Sequence, residues 1–325
     1  MGSEIQISCP NRLCRGEKTQ VEIIVNFDRP TKVRCIQAVF IGREKTEVVY
    51  TETEHDSDGK MRSVTRTATE YEEIVNEQFL LLGEETNGFF GNIGDSFKTM
   101  LGGGSAELIE PGVQKFAIDV MIPPDAPPSM KGKHCKVTYE IQVSVDIPIK
   151  FDWTRTREIQ VARLPVEFSD TSVVHVIFPD DQERTLFDRV LGKDVTLNLA
   201  VDRNQICVGE SALAMLTIDT PEPLKIRKIE CALVGEERAR ARGHSHSVTH
   251  RIPIGEIDSP NIICGDSVHN FEIEVPEYFG PYSQVGTNFS VEWHVEIRLD
   301  VPWAKDPVIQ APIEFHPSVA SIVDD

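Results

Sequence analysis

Residues 15–46 (RGEKTQVEIIVNFDRPTKVRCIQAVFIGREKT) recur at a constant offset of 193 as residues 208–239 (VGESALAMLTIDTPEPLKIRKIECALVGEERA), so that Gly16 answers Gly209 and Gly42 answers Gly235. A second echo, at an offset of 154, sets KVTYEIQVSVDIPIKFD (Lys136–Asp152) against SVEWHVEIRLDVPWAKD (Ser290–Asp306). It pairs Tyr139 with Trp293, Asp146 with Asp300, Pro148 with Pro302 and Asp152 with Asp306 without a gap. Two copies of one design imply two domains, the second with the shorter middle.

The period inside the repeat sets its secondary structure. Val21, Ile23, Val25 and Phe27 alternate with polar or smaller neighbours, as do Ala214, Leu216 and Ile218 in the second copy. Val137, Tyr139, Ile141, Val143 and Val145 do the same in the later echo. A period of two is that of a half-buried strand, and strands with one wet face belong to antiparallel sheets. Turn chemistry at Arg15-Gly16-Glu17, Asp58-Gly59, Pro123-Pro124 and Ser259-Pro260 spaces many short strands as a sandwich requires. Each half is large enough to bury a two-sheet core without disulfides or metals. The expected organisation is a β-sandwich over 1–162, a connector over 163–193 and a second sandwich over 194–325. Within the connector, SVVHVIF reads as a strand and LFDRVLG as a short turn of helix.

Seven cysteines are an odd number, most lie inside apolar strand patterns, and no signal peptide is apparent. Reduced, buried thiols in a cytoplasmic protein are expected. No apolar run is long enough to span a bilayer, which leaves at most peripheral membrane contact. The formal net charge is −19, with 25 acidic and 19 basic residues over 1–162 against 27 and 14 beyond. Such a surface repels phosphate backbones, so nucleic acid is not an expected partner.

GEKTQVEIIVNFDRPTKVRCIQAVFIGREKT resembles the opening of the arrestin-like N-terminal domain, where a Gly-Glu turn leads into paired strands and a short I-x-x-x-F/L-x-G segment. PGVQKFAIDVMIPPDAPPSMKGKHCKVTYEIQVSVDIP is similar to the family's central signature, a run of proline, glycine and phenylalanine before a V-x-Y-E strand. The resemblance implies an all-β chain of two tandem immunoglobulin-like sandwiches, the arrestin fold, with one short helix in the N-domain. It is closer to α-arrestins and prokaryotic arrestin-like proteins than to visual and β-arrestins. The first strand, EIQISCPNRL, lacks the adjacent lysines with which receptor-binding arrestins sense phosphate, and PPxY motifs are absent from the sequence.

Three segments are candidates for partner contact. Ile93, Phe97, Met100 and Leu101 recur at helical spacing before Gly102, as a short amphipathic helix packed on its sheet or, with Phe89 and Phe90, as a contact surface. Residues 44–79 read as a hairpin whose polar tip carries Asp56, Asp58 and Lys60. The tip resembles the start of a calcium loop, but Thr67 stands where an EF-hand needs glutamate. Arg238, Arg240 and Arg242 concentrate basic charge in the acidic half and suit an acidic peptide or a phosphate. His244 and His246, two apart on a strand, share a face; with His250 crossing over they would form a weak three-histidine metal candidate.

No G-x-S-x-G elbow, H-E-x-x-H, phosphate loop or C-x-x-C is present. The expectation is a non-enzymatic arrestin-like scaffold, without cofactor or metal, that binds other proteins such as cytoplasmic parts of membrane proteins in trafficking or signalling. Two alternatives are a retromer-like sorting-coat subunit and a metal-binding protein or enzyme built on the histidine hairpin. A tandem immunoglobulin-like adhesin should instead carry a secretory signal and paired cysteines.

Overall fold

Wherever the sequence alternates apolar and polar residues, the chain forms strands. The computed structural model describes residues 3–55, 60–83, 106–148, 151–161, 172–178, 195–207, 209–258, 262–275, 281–303 and 306–316. The strands of the first half are β1 (Glu4–Ser8), β2 (Arg12–Leu13), β3 (Lys18–Phe27), β4 (Thr31–Val33), β5 (Cys35–His55), β6 (Met61–Gly83), β7 (Glu107–Ile109), β8 (Gly112–Met121), β9 (Met130–Lys131), β10 (Cys135–Asp146) and β11 (Trp153–Val161). Those of the second half are β12 (Val174–Phe178), β13 (Thr196–Val201), β14 (Gln205–Cys207), β15 (Ser211–Leu224), β16 (Lys228–Ala241), β17 (His244–Asp258), β18 (Ile263–Glu274), β19 (Gln284–Val285), β20 (Phe289–Asp300) and β21 (Val308–His316). Among the described residues there is no helix. The expected helix around Ile93–Leu101 and the LFDRVLG turn lie outside the described residues, whereas SVVHVIF does contain strand β12.

The chain divides into two compact units: Met1–Lys45, Tyr71–Met130 and Lys136–Leu164 form one, and Thr46–Glu70, Lys131–Cys135 and Pro165–Asp325 form the other. In the first half, one sheet has the order β1-β3-β8 and the other the order β2-β11-β10-β5-β6, with β9 beside β10. In the second half the orders are β12-β13-β15-β18 and β14-β21-β20-β16-β17, with β19 beside β20. The plan is the same except for the added strand β12 in the second half and a separate two-stranded sheet, β4-β7, in the first. Even the short parallel pairs correspond: Gln160 lies opposite Arg12 as Glu314 lies opposite Gln205. The architecture is that of two β-sandwiches.

Each core follows from the alternation. Val21, Ile23 and Val25 are fully buried on β3, as are Tyr139, Ile141 and Val143 on β10. Phe27 meets Trp153 with ring centroids 5.7 Å apart. In the second half Ala214, Leu216 and Ile218 are fully buried with Val295, Ile297 and Leu299, and Trp293 meets Phe315 edge-on at 5.4 Å.

The repeat extends to single hydrogen bonds. Gly16 and Gly209 both take positive φ, 78° and 83°, which favours glycine. The backbone N–H of Arg34 donates to the carbonyl of Asp146 and that of Arg227 to the carbonyl of Asp300, each at 2.9 Å. Asp152 accepts from Ile147 N–H as Asp306 accepts from Val301 N–H. Ser129 Oγ accepts from Val161 N–H as Ser283 Oγ accepts from Phe315 N–H, both at 2.9 Å.

Of the seven cysteines, none of them in a disulfide, Cys35, Cys135, Cys207 and Cys231 are buried as the sequence pattern implies, whereas Cys9 and Cys14 are half-buried and Cys264 is exposed.

The β16–β17 hairpin, a candidate partner-binding site

The basic segment closes a tight hairpin. Ala241 faces His244 across a two-residue loop in which Arg242 and Gly243 have φ of 49° and 82°. Positive φ at both positions is the type I′ turn, whose twist matches that of the flanking strands. The two faces of the hairpin then carry different chemistry, because side chains alternate.

Arg238 and Arg240 point to the exposed face, with Ser247 and Ser245 opposite them on β17. Arg238 is held by Glu236 at 2.7 Å, with Glu292 at 3.8 Å. Those carboxylates keep its guanidinium firmly charged. The Arg240 and Arg242 side chains have no ion pair among the described residues. The Arg242 backbone N–H donates to the Glu70 carboxylate at 2.6 Å. The hairpin therefore offers two uncommitted guanidiniums beside serine hydroxyls, a donor set suited to carboxylate or phosphate.

The other face is packed. Ala239 and Ala241 join Val48, Ala68 and Tyr50 of β5 and β6 in an apolar cluster. His244 stacks on Tyr50 at 3.6 Å between ring centroids, and His246 meets His134 edge-on at 4.6 Å. His250 lies against Trp293 at 6.2 Å, with Nε2 3.6 Å from Glu237. His250 thus does not cross over: it lies an even number of residues from His244 and His246, in unbroken register, and shares their face. Each ring has its own aromatic partner. Among the described residues, no group of three His, Cys, Asp or Glu is placed to hold a metal.

Glu237 is the residue that sequence reading missed. It is fully buried on the apolar face of β16, and its carboxylate accepts the backbone N–H groups of Lys133, His134 and Cys135 at 2.9, 2.5 and 3.2 Å. The Cys135 thiol donates to it as well, at 3.2 Å. Burial pushes the Glu237 carboxyl up, but the N–H and thiol donors, with His250 nearby, outweigh it and hold the group below the usual carboxylate range. One signal was available. A glutamate stands on the inward face at the same place in both copies, Glu44 and Glu237, and both are buried. A charge there needs partners from elsewhere in the chain.

Of the other sequence candidates, Lys60 is exposed beside the tip of the β5–β6 hairpin. Farther along that hairpin, Arg66 pairs with Glu52 at 3.1 Å and with Glu54. Asp56, Asp58, Phe89, Phe90, Phe97, Met100 and Leu101 lie outside the described residues.

A duplicated pair of β-sandwiches with one sheet order narrows the possible families, and comparison with family models decides among them. The family described as "Arrestin (or S-antigen), N-terminal domain" matches residues 11–165. Residues 11–165 are arrestin-like. No curated protein matches it. Members of the arrestin family are protein-binding adaptors in general, and non-enzymatic ones. No helix among the described residues is long and apolar enough to cross a membrane.

Proposed function

We propose that this arrestin-like protein is a non-enzymatic cytoplasmic adaptor that binds acidic or phosphorylated cytoplasmic segments of membrane proteins, in trafficking or signalling. It stands closer to α-arrestins and prokaryotic arrestin-like proteins than to visual and β-arrestins. Its domains run over 1–162 and 194–325, with 163–193 connecting them. The observation that carries the reading is the pair of unpaired guanidiniums, Arg240 and Arg242, exposed on one hairpin of a chain with a net charge of −19. Such a cluster in an acidic molecule attracts anionic segments locally while the remaining surface repels them. Arg238, beside Arg240 on β16, and Lys60, on the β5–β6 hairpin, are further cationic contacts in this reading. The Phe89, Phe90, Phe97, Met100 and Leu101 segment would add apolar contacts, and Asp56 and Asp58 would meet cationic residues that flank the acidic stretch of such a partner.

The test is co-purification from native cells after mild crosslinking, comparing the parent chain with an Arg240→Glu/Arg242→Glu variant. Integral membrane proteins enriched by the parent should be lost from the variant. An unchanged partner set would sink the assignment to this hairpin, and a fixed set of soluble subunits would indicate coat assembly instead.

A further inference from the structure

The sheet β12-β13-β15-β18 has an inner face built on Leu197, Leu199, Leu216 and Ile218, all at 0% exposure. Its outer face should then be polar. It is not. Leu213 and Met215 on β15 are 47% and 41% exposed, Val268 on β18 is 56% exposed and Ile177 on β12 is 60% exposed. Register sets Val268 diagonally beside Met215, which is two residues from Leu213 on β15, whereas Ile177 stands at the far end of the row Ile177, Asn198, Thr217 and Val268; His175, Ala200, Met215 and Asn270 form the next row.

The repeat supplies an internal control. The first half builds the corresponding sheet from β1, β3 and β8, with Gln20 and Glu22 where the second half has Leu213 and Met215. Lys115 faces Ile24 there as Val268 faces Thr217 here. The same strands therefore form with polar residues at these positions. An exposed apolar face that the fold does not require marks a contact surface.

Charge selects the occupant. Asp219 and Asp266 lie directly opposite each other at one end of the face, an arrangement of like charges that is unfavourable in an unliganded sheet. Glu272, Glu274 and Asp202 lie at the other end, all exposed. The nearby cation, Arg203, is turned toward Asp202 at 3.7 Å and Glu210 at 3.9 Å. No lysine or arginine occupies an outward position on the four strands among the described residues. A second copy would bring the same acids against these, and anionic lipid would be repelled.

We propose that this face binds a cationic amphipathic segment of another protein, with aliphatic side chains on Leu213, Met215 and Val268 and lysine or arginine against the two acidic ends. This surface is separate in residues and in charge from the arginine hairpin, so either assignment can fail without the other.

The probe is a fluorescein-labelled peptide of alternating leucine and lysine, titrated by anisotropy against the full chain, with an alternating leucine and glutamate peptide as control. Saturable binding of the first and none of the second is expected. Leu213→Gln/Met215→Gln and, separately, Asp219→Asn/Asp266→Asn should each weaken binding about tenfold, which is about 1.4 kcal/mol. Equal affinity for the parent and both variants would show attraction by net charge alone and overturn the proposal, as would absence of binding. So would a concentration-dependent dimer of the parent that the Leu213→Gln/Met215→Gln variant abolishes. Val268→Lys, which installs the residue of the first copy, gives an independent readout with the same expected loss. Thermal melting by circular dichroism checks that each variant is folded.

Discussion

Trp293 closes over Gly235 so tightly that a Cβ on the glycine would come within 2.5 Å of the indole carbons Cε2 and Cζ2. The ring is pinned by its Nε1–H, which donates to the carbonyl of Pro281 at 3.0 Å. The first half repeats the device: Tyr139 covers Gly42, where a Cβ would lie 2.5 Å from Cε1, and its hydroxyl donates to the Pro127 carbonyl at 2.6 Å. Gly235→Ala and Gly42→Ala should each destabilise the fold by about 1–3 kcal/mol through overpacking. Urea unfolding followed by tryptophan fluorescence measures this, and an unmoved midpoint would show that the ring has room to retreat.

The two halves share an arginine–aspartate pair at one site of the repeat but bury it differently. Arg34 reaches Asp146 at 2.7 Å with side-chain exposures of 14% and 2%, whereas Arg227 reaches Asp300 at 2.6 Å with exposures of 60% and 20%. Breaking a buried pair strands a charge, while an exposed pair is screened by water. Asp146→Asn should therefore cost about 3 kcal/mol and Asp300→Asn less than about 1 kcal/mol. Equal losses in the two variants would mean that burial does not set the strength of this pair.

Much of this architecture could be read in the sequence, because the repeat and the two-residue period are local patterns. The offsets that matched Tyr139 to Trp293 and Asp152 to Asp306 match their hydrogen bonds as well. What joins Glu237 to residues 133–135 was not legible, since about a hundred residues separate the partners and no periodicity encodes which loop a buried carboxylate meets. The stacking of His244 on Tyr50 is hidden for the same reason. The outer face around Leu213 was within reach: an alternating strand with leucine and methionine at its outward positions departs from the first copy. Only the strand register shows that Val268 joins it.

Arg242 occupies the left-handed region at a turn position that prefers glycine or asparagine. A side chain there costs about 1–2 kcal/mol relative to a residue without a Cβ. Arg242→Gly retains the backbone N–H that Glu70 accepts. The variant should be more stable by about 0.5–1 kcal/mol, since the relief of strain is partly offset by the freer unfolded chain. It should also bind an acidic peptide more weakly. A melting temperature that falls would show that the arginine side chain makes a stabilising contact outweighing the strain.

Glu237 should make the stability of this region depend on pH with a definite sign. Its carboxyl, ordinarily near 4.5, is pushed up by burial but held below that value overall by the N–H groups of Lys133 and His134, the Cys135 thiol and His250. A carboxylate depressed in the folded state contributes stability that is fully present above the unfolded value and is lost as pH falls through the folded one. Glu237→Gln keeps the size but removes the charge, and leaves three backbone donors facing a weaker acceptor. At neutral pH the variant should be less stable by about 2–4 kcal/mol, between the loss of a charged hydrogen bond and the breaking of a buried pair. The gap should narrow as pH falls below about 4.5, because protonation then removes the same charge from the parent. Paired urea titrations of parent and variant across this range cancel the carboxylates common to both. A gap that stays constant into acid would mean that shape, not charge, is what Glu237 contributes; local loss should show first as faster amide exchange at residues 133–135.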